Sequence, residues 1–199
     1  MKHTRVLAAG LFALLASCSD NGNDPDNLVA AGTVEFSYSG APGGTYDVTG
    51  AVPINQSQLF TTSWAAGARD DDFDFIDVVS VRARSGGLFD EVVISIPRLT
   101  VGSSTVSSDC TSNCAEMSFT IGTTTSSTVT FEHFCSLESG TVTIATINSE
   151  RATGTFSGIG TCTDEDLNDS NFAVSGGSFD VALASNVALI RANAKLRQR

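Results

Sequence analysis

From residue 28 onward, apolar and polar side chains take turns along the chain. Thr33-Val34-Glu35-Phe36-Ser37-Tyr38 alternates strictly, which puts Val34, Phe36 and Tyr38 on one face. A period of two is that of a strand with one buried side. Pro42-Gly43-Gly44 then marks a turn, and Thr45-Tyr46-Asp47-Val48 resumes the pattern. The same reading predicts strands over 33–38, 45–48, 58–66, 73–84, 88–97, 116–122, 128–135, 140–148, 152–160 and 172–184. Within 73–84, Phe73, Phe75, Val79 and Val81 share a face. Ser85-Gly86-Gly87 separates that run from 88–97, where Val92, Ile94 and Ile96 alternate again. A β/α arrangement needs amphipathic helices between strands, and none is legible here. About ten short strands with Gly-rich turns predict an all-β fold, an antiparallel β-sandwich, with a β-barrel-like closure as the alternative. The Ser/Thr-rich stretches 103–112 and 123–130 have the composition of loops and exposed strand.

Both ends depart from this pattern. Residues 1–17 begin with Lys2 and Arg5 and continue into an apolar stretch over 6–15. That stretch is shorter than the roughly 20 apolar residues of a bilayer span, and its layout is that of a secretory signal. Residues 19–27 hold no apolar side chain and predict a flexible tether, with a reach of about 17 Å by random-coil scaling. At the other end, Val187, Ile190 and Ala194 are interleaved with Arg191, Lys195, Arg197 and Arg199. This predicts a short helix with a basic C-terminal end, or a basic tail. The expected organisation is therefore a leader over 1–17, an anchor and tether over 18–27, one β-domain over 28–184, and a C-terminal tail or short helix over 185–199.

The 199 residues carry a net charge of −11, and loss of Lys2 and Arg5 with a leader makes it more negative. An acidic chain lacks the basic footprint that a phosphate backbone requires, so nucleic acid is excluded as a partner class. Cysteine usage narrows the compartment. Beyond Cys18 the chain has Cys110, Cys114, Cys135 and Cys162, an even number suited to two disulfides in an exported protein. Sequence does not choose among the three connectivities. The preferred one is Cys110–Cys114, closing C-T-S-N-C, with Cys135–Cys162 joining neighbouring strand ends. A zinc site using these cysteines and His133 is the alternative, although paired short spacings are lacking.

Leu15-Ala16-Ser17-Cys18 resembles a bacterial lipobox: a branched apolar residue, two small residues and a cysteine. The resemblance implies cleavage before Cys18 and acylation of its sulfur and new amino group. Ser19, rather than Asp, at the next position implies sorting to the outer membrane. Farther on, S-G-T-V-T-I, A-T-G-T-F-S-G and S-G-G-S-F-D-V-A-L within 139–183 are similar to the closing hairpins of uncharacterised β-rich envelope lipoproteins. That likeness implies fold and location and carries no activity.

Few residues point to chemistry. His133 is the one histidine outside the leader. In Phe131-Glu132-His133-Phe134-Cys135 the alternation puts it on a face with Phe131 and Cys135, as an ordinary strand histidine. Gly154-Thr155-Phe156-Ser157-Gly158 has the wrong spacing for a nucleophile elbow, and no P-loop or H-E-x-x-H occurs. A carboxylate-dependent hydrolase would draw on Asp90, Glu91, Glu116 and Glu132, which nothing in the sequence brings to the required separation. The densest acidic run is 70–77. There Asp72 and Asp74 would face the same way about 7 Å apart and offer oxygen ligands to calcium, with Asp164-Glu165-Asp166 or Asp169 completing a shell. Charge runs more often form solvated faces. Trp64, the single tryptophan, reads as core beside Phe60 and Ala66.

The expectation is therefore a lipid-anchored envelope protein at the outer membrane, periplasmic or surface-facing. Its β-domain is non-enzymatic and binds a protein or glycan partner or serves as structure, without a cofactor. The alternative is a calcium-assisted carbohydrate-binding module built on Asp72 and Asp74.

Overall fold

Alternation along each strand is resolved into two sides of one sheet. The structure, a computed structural model, describes residues 31–40, 43–53, 56–70, 74–108, 113–125 and 128–184. Cys18, Asp72, Cys110, the leader, the tether and residues 185–199 lie outside them. The ten strands are β1 (Gly32–Gly40), β2 (Gly44–Gly50), β3 (Trp64–Asp70), β4 (Phe75–Ala83), β5 (Leu88–Ile96), β6 (Gly102–Val106), β7 (Glu116–Thr124), β8 (Val129–Ile147), β9 (Arg151–Asp164) and β10 (Asp169–Ala184). Two single 3₁₀ turns, Gln56–Gln58 and Ser85–Gly87, are the helical pieces among the described residues. No helix there is long and apolar enough to cross a membrane.

All ten strands belong to one sheet. Antiparallel pairing runs β3–β4–β5–β7–β8–β9–β10, and a short parallel contact, Leu183 with Gly67 and Ala184 with Ala68, joins β10 back to β3. The sheet is therefore ring-like, between a sandwich and a barrel. The β1–β2 hairpin adds to β10 on the edge that β3 reaches only at its end. β6 adds to β8 opposite 140–144. The 19-residue β8 serves both halves of the ring, meeting β7 with its first part and β6 with its second.

The inside of the ring is filled. Val34, Phe36 and Tyr38 of β1 are buried as their alternation predicts. Phe36 stacks on Tyr46 at 4.9 Å between centroids and meets Phe119 edge-on at 5.7 Å, while Phe119 stacks on Phe172 at 5.9 Å. Offset and edge-on pairs of this kind add about 0.5–1.5 kcal/mol each beyond area burial. β9 accommodates these rings by turning mostly small residues inward, Ala152, Gly154, Gly158 and Gly160, around a single inward ring, Phe156. A Cβ on Gly154 would sit 2.4 Å from Cζ of Phe179, so the ring occupies the space a side chain would need.

A second, smaller core lies on the outer side of β3–β5. Leu59, Trp64, Ala66, Ala68, Val79, Val81 and Phe89 form it, under Val52 and Phe60 of the 51–63 crossing. Trp64 is 1% exposed and its Nε1 donates to the Leu59 carbonyl at 2.8 Å, which confirms it as core. β4 is thus buried on both sides, and this explains its nearly continuous apolar run.

Three strand expectations need correction. Residues 58–62 form a turn, with Thr61 and Thr62 donating backbone N–H to the Gln58 carbonyl, so only Trp64 onward is strand. The strands expected at 128–135 and 140–148 are one, β8. The expected loop 103–112 begins with a strand, β6, whose Ser104 and Val106 face inward.

Candidate functional site

The buried polar residues are the first place to look for chemistry. Asp90 is fully buried beside Arg82, whose Nε donates to Asp90 Oδ2 at 2.7 Å and whose second guanidinium nitrogen pairs with the same oxygen. Arg84 lies 3.4 Å from the other oxygen. Arg82 also donates to the Thr45 carbonyl and lies over the Tyr46 ring, 4.9 Å from its centroid. Burial pulls the Arg82 pKa down, but the charge and hydrogen bond of Asp90 more than offset this and hold it above its usual value. Tyr46 donates to Ser80 Oγ at 2.9 Å, and Ser80 donates to the Trp64 carbonyl. Burial pushes the Tyr46 phenol far up, so it stays neutral. These groups are all engaged in holding β2, β3, β4 and β5 together.

The carboxylates weighed for hydrolysis do not converge. Asp90 faces the ring interior with Arg82, while Glu91, its neighbour on β5, points to the opposite side. His133 is half-buried on β8 and paired in register with Asp164 of β9. Asp164 accepts from the Asn168 backbone and side chain and from the Asp166 backbone. These bonds, with a smaller contribution from His133, hold its carboxyl below the usual range. Asp164 is in effect the cap of the β9–β10 turn. Phe131 does not share a face with His133 and Cys135 as the alternation predicts. A bulge in β8 opposite Ile121 and Gly122 shifts it toward Phe89 of the outer core.

The cysteine reading is settled in half. Cys135 and Cys162 face each other in register on β8 and β9 and are bonded, which removes the zinc alternative that needed them. Cys114 is also disulfide-bonded, with its partner outside the described residues. For calcium, Asp74 stands in the β3–β4 turn with φ of 56°, and Asp72 lies outside the described residues. The loop expected to complete the shell is in the wrong place. β3 runs parallel to the end of β10, so the β3–β4 turn lies near Ala184, whereas Asp164, Asp166 and Asp169 sit at the start of β10, some 50 Å away along the strand. No group of three His, Cys, Asp or Glu able to hold a metal occurs among the described residues.

The most distinctive surface was not expected. The outward positions of β6, β8, β9, β10, β1 and β2 line up as rows of hydroxyls and carboxylates. One row runs Ser103, Thr143, Thr155, Ser178, Glu35, Asp47. Ser103 and Thr143 are hydrogen-bonded at 2.8 Å, and Ser178 donates to Glu35 at 2.9 Å. Register shifts fall in both strands that flank β9: at Leu137/Ser139 in β8, and at Val174/Gly177 in β10, where the same extra residue also offsets the pairing with β1 between Glu35 and Ser37. Gly176 takes φ of 61° in the β10 shift, a conformation that suits glycine. Bulges bend strands and re-aim side chains. Along β9 they flank two shallow depressions, of about 460 Å³ between Glu138, Thr161 and Asn171 and about 420 Å³ between Glu35, Thr155 and Gly177. Ile159, 62% exposed, stands on the wall of the first. Thr161 donates to Glu138 at 2.6 Å and fixes that carboxylate at the rim.

Comparison with protein-family models, with curated proteins and with solved structures found no match to this chain.

Proposed function

We propose that this chain is an envelope lipoprotein, cleaved before Cys18, acylated there and held at the outer membrane, with its β-domain acting as a non-enzymatic binding or structural module. The observation that carries the reading is Leu15-Ala16-Ser17-Cys18 at the close of a charged and then apolar leader. Acyl chains on one residue give an anchor that a single myristoyl-type chain does not. The Cys135–Cys162 bond supports an oxidising compartment outside the cytosol. The outward Thr, Ser, Asp and Glu of β1, β2, β8 and β9 suit a domain standing in water beside the membrane.

The non-enzymatic part rests on how the titratable groups are used. Asp90 holds two arginines, Arg151 pairs with Asp180, and Asp164 ties the β9–β10 turn. Each is engaged in a structural contact. The acidic surface favours a protein or glycan partner over nucleic acid.

Metabolic labelling with palmitate tests the anchor. The full chain incorporates label and floats with outer-membrane fractions. Cys18→Ser incorporates none and is released to the soluble fraction. An unlabelled parent protein would overturn the proposal.

A further inference from the structure

We infer that the trough along β9 binds a neutral, linear polysaccharide, an inference that rests on the binding-module reading above and gives it a ligand class. The two depressions are contiguous. Ser139 and Ile159 of the first are followed along β8 and β9 by Thr141 and Ser157 of the second. From Thr161 to Thr155 the trough is about 20 Å long. That shape suits an extended chain lying along β9 rather than a compact ligand in a closed pocket.

The lining decides the chemistry. No Lys or Arg lines either depression, and each contains one glutamate, Glu138 in the first and Glu35 in the second. A phosphate, a lipid headgroup or an acidic polymer would meet repulsion with no compensating cation. Both glutamates are oriented before any ligand arrives, Glu138 by Thr161 and Glu35 by Ser178. Each keeps acceptor sites for further donors, because a carboxylate accepts about four hydrogen bonds. Hydroxyl donors to a carboxylate form the stronger, charge-assisted bonds. The floor between them is Thr141, Thr143, Thr155 and Ser157, whose hydroxyls both donate and accept. Ile159 supplies an exposed aliphatic surface for the C–H face of a sugar ring. A polyhydroxylated uncharged chain satisfies all of these at once. A basic peptide would satisfy the carboxylates and leave the hydroxyl floor without its complement.

The bulges are the independent feature. They interrupt both strands that flank β9, and the β10 shift puts Gly176, with open space where a side chain would stand, beside the floor. A regular sheet would place side chains there and close the trough.

The test is affinity electrophoresis of the full-length protein in detergent through gels containing hydroxyethylcellulose, laminarin or galactomannan, with polygalacturonate as the acidic counter-probe. At least one neutral polymer is expected to retard the parent protein, and polygalacturonate is not. Ile159→Glu and Ser157→Arg, both at exposed positions, are expected to weaken retardation at least tenfold with an unchanged melting temperature. Absence of retardation by all three neutral polymers overturns the inference, as does equal retardation of both variants or stronger retardation by polygalacturonate. Because palmitate labelling is read separately, a labelled protein that ignores glycans removes the ligand class alone. An unlabelled protein removes the reading beneath it.

Discussion

At the scale of single residues, the contact with most at stake is Arg82 with Asp90. A fully buried carboxylate is tolerable only while a cation stays beside it. Arg84 is too far for good hydrogen-bond geometry, so Arg82 carries most of the compensation. Arg82→Met keeps the packing over Tyr46 and removes the charge. It is expected to lower stability by about 3 kcal/mol in urea unfolding, the usual cost of a buried charge left alone. Arg82→Met with Asp90→Asn should recover more than half of that loss, and a double variant no better than the single one would show that Arg82 acts through its stem. None of this was legible from the chain. Arg82 and Asp90 alternate correctly with interior positions, yet charged residues at such places normally read as outward. The trough escaped notice for a similar reason. The Thr-x-Thr pairs of β8 and β9 are visible one by one, but the row from Ser103 to Asp47 exists only once five registers are known.

At the scale of elements, β8 and β9 form the longest ladder, running from His133–Asp164 to Ile147–Ala152. Their disulfide spans 27 residues, and removing such a crosslink typically costs about 3 kcal/mol through the unfolded chain. Cys135→Ala with Cys162→Ala should therefore shift the urea midpoint downward while leaving the circular-dichroism spectrum of the folded state unchanged. A spectrum that changes would mean the bond also sets the register. Strand content itself was readable where alternation was clean, as in β1, β5 and β9. It failed at 58–62, where Leu59 and Phe60 are apolar because they cover Trp64 rather than because they extend the sheet. It failed again at β6, whose five residues carry a single large apolar side chain. Gly140 is the first residue of the strand expected over 140–148. It lies instead inside β8, against the backbone of Ser157 and Gly158, where no side chain fits.

At the scale of the whole molecule, most contacts join residues distant in sequence, although the largest pairings, β8–β9 and β9–β10, join consecutive strands. The ring needs β10 to find β9, β1 and β3, and β1 and β3 were made more than 100 residues earlier. Folding from denaturant is expected on the millisecond-to-second scale of non-local β-topologies rather than in microseconds. Stopped-flow tryptophan fluorescence reports this through Trp64, which sits under the 51–63 crossing, and a complete refolding phase within the dead time would contradict it. The class of fold followed from composition and period. Closure did not, since among the described residues it depends on two residue pairs.

Those two pairs, Leu183 with Gly67 and Ala184 with Ala68, act as the clasp of a belt. Everything else in the circuit is fastened over long antiparallel seams. A chain cut short before Leu183 would leave the belt unbuckled, with the neighbouring lengths of β3 and β10 bared as templates on which one molecule could recruit the next. Any fusion or tag attached near Leu183 and Ala184 must therefore leave the buckle shut.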